Sequence, residues 1–198
     1  MSLYNFAKNA AKVLFGACFK VKIEGIENIP ENNGFVVVCN HKSNFDAPLI
    51  AATLPRQLTF MAKEELFKIK PFGFVLKKLG AFPIKRGSSD LGAIRATLGI
   101  LKNGGNILIF PEGTRCKEEG KLLEGKPGAA LIAHKADVFV LPVGICGNYG
   151  FRKNLTVSFG APIKLSEHIE GRASSESLKN ATDNVIMPAI AKICGAKL

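Results

Sequence analysis

Residues 35–46 read FVVVCNHKSNFD, in which five apolar residues run directly into a segment that carries a histidine and an aspartate. A short, valine-rich apolar run is typical of a strand that is buried on both faces of a sheet. In open α/β sheets, active sites gather beyond the carboxyl ends of such strands. The sequence therefore places His41 and Asp46 where a reacting group would be expected.

Strand and helix patterns alternate along the rest of the chain. We predict strands over residues 19–24, 34–39, 58–63, 81–84, 106–110, 138–145 and 155–159. We predict helices over residues 46–54, in the lysine-rich stretch up to 79, and over 88–102, 127–135 and 175–193, the last kinked at Pro188. This order predicts a single α/β domain whose mixed, mostly parallel central sheet is covered by helices on both faces.

Residues 2–19 have the pattern of an amphipathic helix. Its narrow polar stripe holds Asn5, Lys8, Asn9 and Lys12, and the apolar arc is wider than a soluble surface helix needs. Two interpretations stay open: a terminal helix packed on the core, or a helix lying in the headgroup plane of a membrane. Only seven uncharged residues separate Lys12 from Lys20, too few for a membrane span. We divide the chain into a membrane-association helix, 1–19, and a catalytic domain, 20–198.

The composition limits the partners. Lys and Arg number 27 against 16 Asp and Glu, a net charge of +11, which favours an anionic partner such as nucleic acid, an anionic membrane or a phosphorylated metabolite. The five cysteines are odd in number and form no Cys-x-x-Cys pair, which argues against a disulfide framework and favours a reducing compartment. The three histidines are scattered, so no zinc or other metal site is expected.

His41 and Asp46 suit acid–base chemistry. An imidazole titrates near neutrality and can act as a general base, and a carboxylate beside it would fix its tautomer, as in a Ser-His-Asp triad. Structural alternatives exist: Asp46 as a helix N-cap, Ser43 and Asp46 as a capping box, or His41 as an ordinary loop histidine. The spacing alone favours these alternatives, because it is common by chance.

Two more segments place cations after strands. Residues 110–115 read FPEGTR after a buried strand, so that Arg115 offers a bidentate fork for phosphate and Glu112 could hold a polyol hydroxyl. Residues 80–86 read GAFPIKR, and Arg86 could join Arg115 in a phosphate site, with Lys63 at another strand end. A solvated Glu–Arg turn and ordinary surface charge are the alternatives.

Taken in order, these segments resemble the glycerolipid acyltransferase family, and most closely the bacterial 1-acyl-sn-glycerol-3-phosphate acyltransferases. Asn40, His41 and Asp46 match the first motif, and Gly80, Ile84 and Arg86 match the second. Residues 110–115 match the third motif at every position, and 141–143 fit the fourth. The similarity covers roughly residues 20–165. The chain departs from the family pattern at Cys116, where serine is frequent. Many members also carry a transmembrane anchor, whereas this sequence shows only the short N-terminal helix.

The resemblance implies a role for each matching residue. His41 would be the general base and Asp46 its orienting partner. The implied substrate-binding set comprises Arg86 and Arg115 on the acceptor phosphate, Lys63 as a weaker candidate, Glu112 and Gly113 around the glycerol, and the motif residues Thr114 and Asn40.

The implied reaction moves a fatty acyl group from acyl-CoA or acyl-carrier protein to the sn-2 hydroxyl of lysophosphatidic acid, by direct attack and without cofactor or metal. Consistent with direct transfer, the chain has no Gly-x-Ser-x-Gly elbow. An anionic membrane surface is the expected partner, with the protein peripheral on the cytoplasmic face. The alternatives are a related acyltransferase acting on glycerol-3-phosphate, another lysophospholipid or a lyso-aminolipid, a non-catalytic lipid-binding protein, and a nucleic-acid-binding module. No nucleic-acid motif appears, so we expect no nucleic-acid partner.

Overall fold

The computed structural model describes residues 3–84, 91–169 and 171–198. Its helices are α1 (Leu3–Cys18), α2 (Asp46–Thr53), α3 (Glu64–Lys68), α4 (Lys70–Lys78), α5 (Leu91–Lys102), α6 (Gly128–Ala136), α7 (Ser175–Ala181) and α8 (Met187–Cys194). Its strands are β1 (Lys20–Glu24), β2 (Phe35–Cys39), β3 (Leu58–Lys63), β4 (Ala81–Ile84), β5 (Asn106–Ile109), β6 (Phe139–Gly147), β7 (Asn154–Phe159) and β8 (Ile163–Lys164).

The strands form one mixed sheet in the order β1-β7-β6-β2-β5-β3-β4, with β8 paired to β6. Strands β4, β3, β5, β2 and β6 run parallel to one another, whereas β7 is antiparallel to β6 and parallel to β1. The predicted mostly parallel sheet is confirmed. Because β2, β5 and β6 are parallel neighbours, the segments that follow them meet at one edge of the sheet.

Alternating side chains of β2 enter two separate cores. Phe35, Val37 and Cys39 pack in the core that α1 and α2 cover, and Val36 and Val38 pack in the core that α5 to α8 cover. All five are completely buried, which explains why the run is apolar at every position instead of alternating. Full burial of such a side chain contributes about 1.5–3 kcal/mol. The prediction that helices cover both faces is confirmed.

The C-terminal helix is less regular than its pattern predicts. Residues 175–194 form α7, a π-helical segment over Thr182–Ile186, and α8. Pro188 lies in the first turn of α8 and cannot donate a backbone hydrogen bond, so the irregularity precedes it as a widened turn. The lysine-rich helical stretch is likewise divided, with α3 and α4 meeting at Ile69 ahead of Pro71. Strand β8 was not anticipated.

One side of helix α1 packs against the rest of the protein, and the opposite side is exposed to solvent. Tyr4 and Phe15 are buried, Tyr4 Oη accepts a hydrogen bond from Leu58 N at 2.8 Å, and Lys8 Nζ donates to the carbonyls of Leu54 and Pro55 at 2.5 and 2.9 Å. The opposite side exposes four large apolar side chains to solvent: Leu3 by 43 %, Phe6 by 61 %, Val13 by 73 % and Leu14 by 62 %. The interpretation as a helix packed on the core therefore describes one side of α1, and the membrane-surface interpretation of the exposed side stays a prediction.

Across the described ranges, no helix is both long enough and apolar enough to cross a bilayer.

Candidate active site

The predicted pair, His41 and Asp46, is in direct contact. Strand β2 ends at Cys39, and α2 begins at Asp46 after a turn in which Asp46 N donates to Ser43 O at 3.2 Å. That turn folds the carboxylate back onto the preceding loop. His41 Nδ1 lies 2.8 Å from Asp46 Oδ2, with the Asp46 side chain completely buried and the imidazole 15 % exposed.

Asp46 is surrounded by hydrogen-bond donors. Besides the imidazole, Oδ2 accepts from the backbone N–H groups of Lys42 and Ser43 at 2.7 and 2.8 Å, and Oδ1 accepts from Tyr149 Oη at 2.6 Å. A buried carboxylate is tolerated when its oxygens are paired in this way. Asp46 is not the N-cap of α2, because that position is Phe45 and has no side-chain cap. Of the capping box, the bond from Ser43 N to Asp46 Oδ2 is present, whereas Ser43 Oγ accepts from Phe45 N instead of Asp46 N.

The backbone and the ring of His41 are both fixed. His41 N donates to Glu112 Oε1 at 2.7 Å, and His41 O accepts from Cys116 N at 2.8 Å. The imidazole stacks on the ring of Phe110, with centroids 3.9 Å apart and planes 12° from parallel. Since Asp46 is the acceptor, Nδ1 carries the proton and Nε2 is the basic nitrogen. No described residue hydrogen-bonds to Nε2, which leaves it free for a substrate proton.

The amide of Asn40 is engaged with strand β6. Its Nδ2 donates to Ile145 O at 3.0 Å and its Oδ1 accepts from Ile145 N at 2.8 Å. These two bonds fasten the end of β2 to β6 immediately before residues 41–45, the His41 loop. The implied substrate contact of Asn40 stays a prediction, and the described contacts give it a structural role.

Glu112 joins two loops. It is buried, and its Oε2 accepts from Leu123 N at 2.8 Å while Oε1 holds the His41 backbone. Burial raises the pKa of the Glu112 carboxyl, and the backbone donors Leu123 and His41 oppose that shift. Gly113 follows with φ of +69°, and a Cβ there would lie 3.0 Å from Lys126 Nζ. Glycine therefore suits this position both in backbone conformation and in space. The implied glycerol contacts of Glu112 and Gly113 stay predictions.

The implied phosphate ligands are only partly described. Thr114 and Arg115 are exposed, and neither forms a hydrogen bond or ion pair with a described residue. Arg115 precedes Cys116, whose N–H binds the His41 carbonyl, so its backbone lies close to the imidazole. Arg86 lies outside the described residues. Lys63 ends β3 opposite Ile84 of β4, and for Lys63 the backbone alone is described.

A cleft of about 530 Å³ opens beside the imidazole. Most of its lining comes from the His41 loop, from the segment after Arg115 and from the end of β6. The lining residues are 40–43, Glu112, 116–122, 145–149, Cys194 and Ala196. Leu122 N donates to Lys197 O at 3.0 Å and Lys197 N donates to Gly120 O at 2.8 Å, so the 116–122 wall is paired with the C-terminal residues. Thr114 and Arg115 lie just outside this lining.

Tyr149 is the site residue that the sequence interpretation missed. It follows the end of β6, and β6 is parallel to β2, so the segment after it reaches the same edge of the sheet as His41. A phenol two residues beyond Gly147, where β6 ends, was a detectable signal once the two strands were known to be neighbours. The sequence alone does not give that strand order.

Comparisons with known proteins find chains similar to this one. The family model described as Acyltransferase matches residues 20–146. The 1-acyl-sn-glycerol-3-phosphate acyltransferase of Bacillus subtilis is 38 % identical over 146 residues, which cover 73 % of this chain and 72 % of that protein. The enzyme of the same name from Streptococcus pneumoniae is 36 % identical, over 71 % of this chain and 54 % of its own length.

A solved structure matches nearly the whole chain. The crystal structure of the 1-acyl-sn-glycerophosphate (LPA) acyltransferase PlsC from Thermotoga maritima superposes with a TM-score of 0.69 and 31 % identity. The match covers 96 % of this chain and 78 % of that one.

Proposed function

The chain belongs to the acyltransferase family, and from that premise we propose that it acylates the sn-2 hydroxyl of 1-acyl-sn-glycerol-3-phosphate to give phosphatidic acid. The acyl donor would be a thioester, either acyl-CoA or acyl-carrier protein. The acceptor is the one in the names of the relatives from Bacillus subtilis and Thermotoga maritima. The reaction is a step of phospholipid synthesis.

The observation that carries this proposal is the contact between His41 Nδ1 and Asp46 Oδ2 at 2.8 Å. With Nδ1–H committed to Asp46, Nε2 accepts the proton of the acceptor hydroxyl as its oxygen attacks the thioester carbonyl. Asp46 stabilises the imidazolium that forms. A positioned general base of this kind contributes about 10²–10⁴-fold in rate.

The tetrahedral intermediate then collapses. The new ester C–O bond stays, the C–S bond breaks, and the imidazolium proton passes to the leaving sulfur, so that the free thiol departs and His41 is neutral again. Because a thioester is already activated, the cycle needs no covalent acyl-enzyme. The remaining acceleration comes from holding the two substrates in the attacking geometry.

We assign the acceptor phosphate to Arg115, together with Arg86 and Lys63. The exposed guanidinium of Arg115 has no ion-pair partner among the described residues, and its backbone lies one residue from the segment that binds the His41 carbonyl. A planar guanidinium binds a phosphomonoester through two parallel hydrogen bonds. Such a contact would fix the distance between the phosphate and the reacting hydroxyl.

We assign α1 to the membrane surface, on the cytoplasmic side. Leu3, Phe6, Val13 and Leu14 are exposed on a helix whose other side is fastened to α2 and to Leu58. Buried at the acyl boundary, each would contribute up to about 1.5–3 kcal/mol, and nearby lysines would add attraction to anionic lipid. The acceptor is itself a membrane lipid, so a surface-bound enzyme would meet it directly.

A thiol-release assay tests the proposal. Acyl-CoA and acyl-carrier protein are each offered with lysophosphatidic acid, glycerol-3-phosphate, lysophosphatidylcholine or a lyso-aminolipid. We expect the highest kcat/KM with lysophosphatidic acid, and a different preferred acceptor would overturn the substrate assignment.

The same assay tests the base. We expect His41→Ala to abolish thiol release, whereas His134→Ala, at a histidine on α6 outside the cleft lining, should keep wild-type turnover. Equal turnover in the two variants would refute the role of His41.

A further inference from the structure

The two oxygens of Asp46 have different partners. Oδ2 takes His41 and two backbone donors from the His41 loop, whereas Oδ1 takes Tyr149 Oη at 2.6 Å. The tyrosine comes from a different part of the chain, 103 residues away, on the hairpin between β6 and β7. It is thus the contact that ties the carboxylate of the pair to strand β6.

Aromatic neighbours hold the phenol ring. The Phe19 ring meets it edge-on with centroids 5.7 Å apart, and the Phe45 ring lies 5.9 Å away. Phe45 is the residue before Asp46 and also contacts Phe15 of α1 edge-on at 6.4 Å. The position of the Tyr149 ring is therefore set by aromatic contacts that do not involve its hydroxyl group.

We infer that Tyr149 is a positioning residue of the proposed acyl transfer: its hydroxyl fixes the Asp46 carboxylate so that Oδ2 faces His41 Nδ1. This inference rests on the proposed role of His41 as the base. The tyrosine does not touch the reacting atoms and acts through Asp46.

The hydroxyl remains a donor throughout the working pH range. Burial raises the pKa of Tyr149 far above its ordinary value, and the adjacent Asp46 carboxylate raises it further. A protonated phenol can only donate toward a carboxylate. It therefore holds the partial positive charge of its hydrogen beside Oδ1 without taking the proton that His41 accepts.

Removing this donor has two consequences at His41. The carboxylate loses one of its four hydrogen bonds, can turn about its Cβ–Cγ bond, and aligns Nδ1 less well. Its negative charge is also less compensated, because a donor to the charged form has been lost, so once the imidazolium forms the two charges attract each other more strongly. The first effect lowers kcat, and the second moves the acid limb of the pH profile to higher pH.

The other charged and titratable groups around the imidazole stay in place in such a variant. These are Glu112, which binds the His41 backbone, Lys42, whose ammonium binds Gly147 O, the thiols of Cys39, Cys116, Cys146 and Cys194, and the charged cleft residues Lys117, Glu118, Glu119 and Lys121. A displaced acid limb can therefore be attributed to the missing hydroxyl.

The test compares Tyr149→Phe with Tyr4→Phe, since the chain has only two tyrosines. Tyr149→Phe keeps the ring on Phe19 and Phe45. We expect kcat to fall about tenfold or more, KM for both substrates to stay within twofold, and the acid limb to move up by about half a pH unit. Tyr4→Phe removes the acceptor of the Leu58 N–H, so its melting temperature should fall while the acid limb stays in place.

A measurement without substrates separates this inference from the reaction itself. In ¹⁵N NMR, the imidazole of residue 41 is titrated in the wild type and both variants, with His41→Ala used for assignment. We expect the titration midpoint to rise in Tyr149→Phe and to be unchanged in Tyr4→Phe. Coincident titrations of the wild type and Tyr149→Phe would overturn the positioning role, even if the enzyme prefers another acceptor. A rise in Tyr4→Phe equal to that in Tyr149→Phe would overturn it as well, because the effect would then be one of general destabilisation.

Discussion

The backbone N–H of His41 donates to Glu112 Oε1 at 2.7 Å, although 71 residues separate the two along the chain. The second oxygen of Glu112 holds Leu123 N at 2.8 Å. One buried carboxylate thus joins the His41 loop to the segment that follows the 116–122 cleft wall. The role of Glu112 can be tested by stability, independently of any substrate.

Glu112→Gln should lower the free energy of unfolding by about 1–3 kcal/mol at neutral pH, because an amide offers one oxygen where the carboxylate offers two. The pH dependence has a definite sign. Burial raises the folded-state pKa of Glu112, so the folded state binds the proton more tightly than the unfolded state. The wild type should therefore lose stability relative to the variant as pH rises from about 4.3 through the folded-state value.

Urea unfolding at several pH values between 4 and 8 measures both effects. Glu119→Gln is the matched control, since Glu119 is exposed and forms no ion pair with a described residue. If the difference in stability between the wild type and Glu112→Gln does not change with pH, the folded state does not raise the pKa of Glu112.

Asp46→Asn should keep the packing and remove the charge that orients His41. The amide cannot accept from His41 and from both backbone N–H groups as the carboxylate does, so the Nδ1–H tautomer loses its support. We expect kcat for thiol release to fall by about 10²–10⁴-fold. Asp183→Asn, at a half-exposed carboxylate paired with Lys179, should retain wild-type kcat and serves as the control. An active Asp46→Asn enzyme would remove Asp46 from the mechanism.

Arg115→Ala should raise KM for the phosphorylated acceptor by about tenfold or more and leave KM for the acyl donor unchanged, because a charge-assisted pair to phosphate is lost. Arg115→Lys keeps the charge but lacks the planar guanidinium, so its acceptor KM should lie between those of the wild type and Arg115→Ala. Initial rates over a range of acceptor concentrations measure these values, with Arg95→Ala on α5 as control. Unchanged acceptor KM in Arg115→Ala would place the phosphate elsewhere.

The exposed side of α1 should bind lipid. Replacing Phe6, Val13 and Leu14 with serine removes three exposed apolar side chains without touching Tyr4 or Phe15, so we expect vesicle binding to weaken at least about tenfold with the fold intact. Sedimentation with vesicles of phosphatidylglycerol and phosphatidylcholine measures the partition. Leu91→Ser is the control, since Leu91 is equally exposed on a helix that covers the other face of the sheet. If the triple variant and the control sediment alike, α1 does not bind the membrane.

The sequence predicted the central strands well because their apolar runs are continuous. Phe35 to Cys39 is buried at every position, which a strand between two helical layers requires. His41 and Asp46 were also found from sequence, since both lie on one loop and a short turn brings them together. The local chain path is enough to bring the two side chains close together, whereas Tyr149 and Glu112 hold them from distant parts of the chain.

Long-range contacts could not be predicted in the same way. Tyr149 reaches Asp46, and Asn40 reaches Ile145, only because β6 pairs with β2, and no local pattern specifies which strands pair. Pro188 lacks a backbone N–H, so the sequence predicted an irregularity in the C-terminal helix. It did not predict that the irregularity is a π-helical segment. The contacts of Glu112 could not be predicted either, because they also join distant parts of the chain. Its motif implied a contact with a ligand, whereas its described partners are two backbone N–H groups.

The pairing of Lys197 with Gly120 and Leu122 makes the segment around Lys197 part of the support of the cleft beside His41. Removing Lys197, or placing a bulky group beside it, would disturb the 116–122 wall, which begins one residue beyond Arg115 and is joined to the His41 carbonyl through Cys116. Kinetic constants of variants are therefore best compared with the residues around Lys197 identical in all of them.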